Sequence, residues 1–144
     1  MDIKEITAQE THALRLEVLR PGGKKSDVEY AEDETLGSFH LGAYNKSQLI
    51  GIASFFPENY HLFPTEKCFR LRGMASSPRL KVPGTGTKLI LTAVELIREK
   101  KGDLLWCNAR EVAFPFYEKV GFSYLGPMFD IPKIGPHKVM YRKL

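Results

Sequence analysis

The chain has 144 residues, 43% hydrophobic and 26% charged, with 21 Lys and Arg against 17 Asp and Glu. That length suits one compact unit with one core, so residues 1–144 are expected to form a single domain. The net charge of +4 is mild and its basic pairs (Lys24-Lys25, Lys100-Lys101, Arg142-Lys143) are scattered, which argues against a nucleic-acid partner. No apolar run reaches the roughly 20 residues that span a bilayer. The start Met1-Asp-Ile-Lys-Glu lacks the basic and apolar stretches of a signal peptide, so a cytoplasmic protein with no membrane partner is expected. Cys68 and Cys107 lack paired spacing, so no disulfide framework or metal site is indicated, and both read as small buried hydrophobes.

In chain order, Asp2–Ile6 reads as a strand. Thr7-Ala-Gln-Glu10 has the spacing of a capping box before a helix over Ala8–Leu19, with Leu14 and Val18 on one face. Pro21-Gly22-Gly23 ends it. Lys24 to Leu36 is polar, with room for a short helix and an acidic cluster at Glu29, Glu32, Asp33 and Glu34. Ser38–Tyr44 and Leu49–Phe56 are expected as a hairpin about Asn45-Lys-Ser-Gln48. A loop over Pro57–Glu66 precedes a strand over Cys68–Ser76. A helix over Thr87–Lys101 offers Leu89, Ile90, Ala93, Val94 and Ile97 to a core. A strand over Leu104–Asn108, a short helix over Val112–Val120 and strand pieces at Phe122–Leu125, Phe129–Ile131 and Lys138–Arg142 complete the chain. A β meander joined to a β-α-β unit implies an α/β (α+β) fold, a mixed sheet with helices on both faces.

The chemistry concentrates where the Cys68–Ser76 strand meets the next helix. Gly84 and Gly86 sit at a turn before that helix, where unpaired backbone N–H groups suit a phosphate or pyrophosphate. A dinucleotide fingerprint would need Gly or Ala at position 89, and Leu89 is there; a P-loop fails because Lys88 is followed by Leu89. Lys81-Val-Pro-Gly84-Thr-Gly86 fits the shorter pattern (Gln/Arg)-x-x-Gly-x-(Gly/Ala), with lysine in first place. It resembles the pyrophosphate loop of the GNAT superfamily of acyl-CoA N-acyltransferases. Asn108 and Phe116-Tyr-Glu-Lys-Val-Gly-Phe122 resemble that superfamily's C-terminal motif. Val18-Leu-Arg-Pro-Gly22 and Gly135-Pro-His137 are similar to a little-characterised bacterial branch of it. Together these span nearly the whole chain.

The resemblance implies a sheet of six to seven strands with one splayed pair admitting acyl-CoA. It implies acetyl transfer from acetyl-CoA as co-substrate, without metal, directly to a primary amine of a small molecule or peptide; it also leaves room for a homodimer. Cofactor contacts are expected from Met74, Ala75, Ser76, Lys81, Val82, Pro83, Gly84, Thr85, Gly86, Thr87, Asn108 and Phe114. The Met74–Ser76 backbone would serve the thioester oxyanion. Gly73 fits a bulge there, or simply weakens the strand. Tyr117 is the candidate donor to the leaving thiolate, or else a core aromatic. Asn108 either bonds the pantetheine or caps the next helix. Arg72, Arg110 and His137 are candidate acceptor contacts; the arginines would clamp a carboxylate or pair with the acidic cluster. The strand offers no carboxylate base for the amine, leaving His137, Glu111 or a water relay. The segment Lys24–Leu36 is expected to flank the acceptor, with Glu32-Asp33-Glu34 attracting a cationic amine. A non-catalytic acyl-CoA-binding module and a phosphate-binding interaction domain are the competing readings.

Overall fold

The computed structural model describes residues 1–64 and 67–144. Seven strands make one sheet: β1 (Asp2–Ile6), β2 (Phe39–Asn45), β3 (Gln48–Pro57), β4 (Cys68–Ser76), β5 (Leu104–Arg110), β6 (Ser123–Ile131) and β7 (Gly135–Lys143), in the order β1-β2-β3-β4-β5-β7-β6. Only β4 and β5 pair in parallel; every other neighbour is antiparallel. The β2–β3 hairpin turns at Lys46 and Ser47, both at positive φ, which matches the right-handed twist of its strands. The two pieces expected near the C-terminus are one strand, β6, because an irregularity in register between Leu125 and Phe129 accommodates Gly126 and Pro127 without ending the pairing. The expected Pro57–Glu66 loop is described as far as residue 64; Thr65 and Glu66 lie outside the described residues.

Helix α1 covers Ala8–Leu14, opened by the expected box: the Thr7 hydroxyl accepts from Glu10 N–H and the Glu10 carboxylate accepts from Thr7 N–H at 2.9 Å. The expected continuation to Leu19 is a π-helical turn, Arg15–Leu19, in which Arg20 N–H donates to the Arg15 carbonyl at 3.1 Å. Helix α2 is Thr85–Glu99, two residues earlier at each end than its apolar period suggests, since Gly84 at φ +83° already turns the chain into it. Leu89, Ile90, Ala93, Val94 and Ile97 are all buried against one sheet face. Each fully buried Leu or Ile contributes roughly 1.5–3 kcal/mol there. Gly51 permits this approach, because a Cβ on it would stand 2.6 Å from Thr85 Cγ2. The last helix is a 3-10 turn, Glu111–Ala113, running into α3 (Phe114–Lys119). Leu14 and the partly buried Val18 pack with Ile6, Ile52 and Ala75 on the opposite face to α2, so helices cover both faces.

Candidate functional site

The site is a break in the sheet. β4 and β5 pair only over Cys68–Leu104, Phe69–Leu105 and Arg70–Trp106. Beyond those pairs β4 runs on to Ser76 and β5 to Arg110 while diverging. The cause is visible on β4, where Ile52 stands opposite Ala75 and Ser54 opposite Arg72, so Gly73 and Met74 share one partner. Gly73 has φ +63°, and a Cβ on it would meet Tyr30 Cε2 at 3.1 Å and Arg15 Nε at 3.2 Å. The glycine is therefore a bulge position in tight quarters, which decides between its two sequence readings.

Two hollows flank the gap and share Met74. One, about 410 Å³, is lined by Val18, Met74, Ala75, Ser76, Val82, Gly84, Thr85, Gly86, Thr87 and Phe116. This is the mouth of α2, whose first-turn N–H groups have no intrahelical partner. Of the expected loop residues, Lys81 and Pro83 are exposed beside this lining and outside it. The Thr85 hydroxyl donates to the Val82 carbonyl at 2.7 Å, so it braces the turn. Phe114, expected at the cofactor, sets its ring edge-on to Tyr124 at 5.3 Å and is not in the lining of either hollow. Phe116, two residues on, lines the first hollow beside Gly86. A Cβ on Gly86 would stand 3.0 Å from the Phe116 ring, so that position is kept bare by Phe116 as well as by any ligand.

The other cavity, also about 410 Å³, lies between the diverging strands, lined by residues of β4, β5 and α3 and by Leu19, Arg20 and Tyr30. It brings together Tyr117, Asn108, Arg72, Arg110 and His137, and adds Arg20, Tyr30 and Arg70, which the sequence did not single out. The register explains part of this: Asn108 opposes Val139 and Arg110 opposes His137, so these side chains share a face. The buried His137 ring donates from Nδ1 to the Gly135 carbonyl at 2.7 Å, leaving Nε2 as the lone-pair nitrogen of the neutral ring. Asn108 Oδ1 is buried without a hydrogen-bond partner. Tyr117 is buried, with its hydroxyl 3.9 Å from Met74 Sδ. Burial, then the charge and hydrogen bond of neighbouring Cys107, push the Tyr117 pKa well above its usual value. Cys107 itself, buried as expected, is pushed up to about 12, chiefly by burial.

None of the acidic cluster Glu29, Glu32, Asp33 and Glu34 lines this cavity. Asp33 is buried and holds Arg15, fully buried, through paired contacts at 2.9 Å; Arg15 also donates to the Val28 carbonyl at 2.7 Å and to Ser54 Oγ at 2.8 Å. His40 closes the network, with Nε2 donating to the Asp33 carbonyl at 3.1 Å and Nδ1 hydrogen-bonded to Ser54 Oγ at 2.7 Å. Glu32 pairs with Arg72 at 3.3 Å, so for that arginine the cluster-pairing alternative holds. Arg15 and Arg72 stack on Tyr30, at 3.8 and 4.2 Å from its ring centre, which carries the folded 24–36 segment to the cavity wall. An i, i+18 pairing leaves no periodic trace, so the helix reading of Arg15 gave no sign of it.

Among the described residues no group of three or more metal-ligating side chains occurs, and no helix is long and apolar enough to cross a membrane.

The fold recurs in solved structures. The Acetyltransferase (GNAT) family profile matches residues 7–122. The chain is 39% identical over 144 residues, covering all of it and 97% of the relative, to the uncharacterized N-acetyltransferase YitI of Bacillus subtilis (strain 168). Its fold superposes on Escherichia coli ElaA with a TM-score of 0.79 at 16% identity, over 98% of each chain. An aminoglycoside 6'-N-acetyltransferase complexed with coenzyme A gives 0.76 at 16%, over 99% of this chain and 97% of that one. The family uses acetyl-CoA as acyl donor. With the profile over most of its length and a relative aligned end to end, the chain belongs to the GNAT family of acetyltransferases.

Proposed function

We propose that residues 1–144 act as one domain, in the cytoplasm, that moves an acetyl group from acetyl-CoA directly to a primary amine of a small molecule or peptide. The supporting observation is the β4–β5 divergence, which joins an anion-binding helix start to a cavity holding a tyrosine and a histidine. In this reading the Val82–Thr87 turn holds the pyrophosphate, with Lys81 at its rim. The Met74–Ser76 backbone donates to the thioester oxygen as it gains charge. The amine nitrogen forms a bond to the carbonyl carbon, the C–S bond breaks, the amine gives up one proton and the thiolate takes one. His137 Nε2 is the candidate acceptor of the first proton, and Tyr117 the donor facing the thiolate. Thiol release from acetyl-CoA against a panel of amines tests the reading. Amine-dependent release is expected; binding of desulfo-CoA with no release for any amine would leave only an acyl-CoA-binding module.

The cofactor loop has its own test. Gly86→Asp places a carboxylate at the helix start and is expected to weaken CoA binding at least about tenfold, some 1.4 kcal/mol. Because Phe116 lies 3.0 Å from that Cβ, Gly86→Ala is the control. Calorimetry should find the aspartate variant clearly weaker than the alanine one. Equal losses would assign the effect to Phe116 packing and not to an anion site.

A further inference from the structure

The acceptor cavity is walled by cations. Arg20, Arg70, Arg72 and Arg110 line it with His137, and no aspartate or glutamate does. Arg70 and Arg72 reach carboxylates outside the lining, Glu58 at 3.1 Å and Glu32 at 3.3 Å. Arg110 has no ion-pair partner among the described residues. Burial, then the charge of Arg70, lower the Arg72 pKa, so these guanidiniums already crowd one another. An anion among them would relieve that repulsion; a polycationic amine would add to it. Two further groups wait unpartnered: Asn108 Oδ1, an acceptor, and Arg70 Nε, a donor, both buried. A volume of about 410 Å³ is at the small end of ligand sites, which run from about 300 to 1,000 Å³.

We propose that the acceptor is an amine carrying a carboxylate, of the amino-acid type, with the carboxylate held by Arg110 on the arginine wall and the amine directed to Asn108 Oδ1. This rests on the acetyl-transfer reading and reverses the cationic preference that the acidic cluster suggests in the sequence. Glu32 is tied to Arg72 and Asp33 to Arg15, so neither is available to an incoming ammonium.

Matched pairs test it: L-amino acids, each against its own α-carboxamide, with phosphoethanolamine and a polyamine added, followed by thiol release from acetyl-CoA. The carboxamide's less basic amine is the better nucleophile at neutral pH, so a preference for the acid reads the carboxylate. The acid of the best pair should have a kcat/KM at least about tenfold higher, the scale of a hydrogen bond to a charged group. Arg110→Gln should bring that ratio to within about threefold. Titration of acid and amide into the desulfo-CoA complex reads the same preference without turnover. Amides or the polyamine used as well as the acids would overturn the inference and leave acetyl transfer standing. Phosphoethanolamine preferred over every amino acid would overturn the carboxylate assignment. Should no amine release thiol, the transfer reading fails, and equal binding of acid and amide in the titration would then overturn this inference separately.

Discussion

Asp33→Ala is expected to destabilise the protein by about 3–5 kcal/mol, because it leaves the Arg15 guanidinium charged, buried and short of two hydrogen bonds. That corresponds to a fall of roughly 10–15 °C in melting temperature for a chain of this size. Replacing both partners, Arg15→Met with Asp33→Ala, should restore much of the loss, since no uncompensated charge remains. The effect also reads out in acid. Burial pushes the Asp33 carboxyl up, but the hydrogen bonds from Arg15 and from Tyr30 N–H, with the charges of Arg15 and His40, outweigh it and leave the pKa lowered. A lowered carboxylate contributes stability that is fully present above its unfolded value, about 3.9. That contribution is lost as pH falls further, through the folded value. Denaturant titrations should therefore show wild type losing stability below about pH 4, with Asp33→Asn flatter over the same range. Equal slopes, or a Asp33→Ala loss below about 1 kcal/mol, would mean the pair is not closed as described. Because Arg15 stacks on Tyr30 and crowds Gly73, the same variant should also loosen the cavity wall.

Tyr117→Phe should lower kcat by about 10²-fold, the scale of losing one hydrogen-bond donor to developing charge, while leaving CoA affinity close to wild type. The substitution keeps the ring and its contacts with Phe116 and Phe122, centred 5.1 and 5.2 Å away, and removes only the hydroxyl. A raised pKa defines what that hydroxyl does. A thiolate with a pKa near 8.5 cannot take the proton fully from a phenol held well above 10. In the proposed reaction the tyrosine would therefore act by donating a hydrogen bond to the departing sulfur, with the proton completing its transfer through solvent. Consistent with this, the wild-type kcat profile should show no decline from tyrosine ionisation up to about pH 10. Wild-type turnover in a folded Tyr117→Phe variant would make the residue a core aromatic.

Much of the architecture was legible from residue order alone. The Thr7–Glu10 box, the apolar period of Leu89 to Ile97, and the hairpin about Asn45-Lys-Ser-Gln48 are local signals, and each formed where it was expected. The order β-α-β-β-β-α-β-α-β-β then leaves few ways to build one sheet. The turn into α2 was legible for the same reason: Gly84 and Gly86 at a helix start are a local feature. Boundaries were less so, as with α2 beginning at Thr85, because Gly84 turns the chain before the apolar period starts. The acceptor side depended on contacts far apart in sequence. Phe116 meets the loop at Gly86 while Phe114 packs on Tyr124, a difference set by tertiary packing around α3. Arg15 finds Asp33 and Ser54 across the sheet, Tyr30 is carried to the wall by that pairing, and Arg110 faces the cavity beside His137 through strand register. None of these pairs repeats with a helical or strand period. Sequence therefore determined the scaffold and the glycine-rich helix start beside the splayed strands, while only the tertiary structure decided which charges line the cavity between them, because burial and pairing, not residue type, determine whether a carboxylate or a guanidinium is left to meet a ligand.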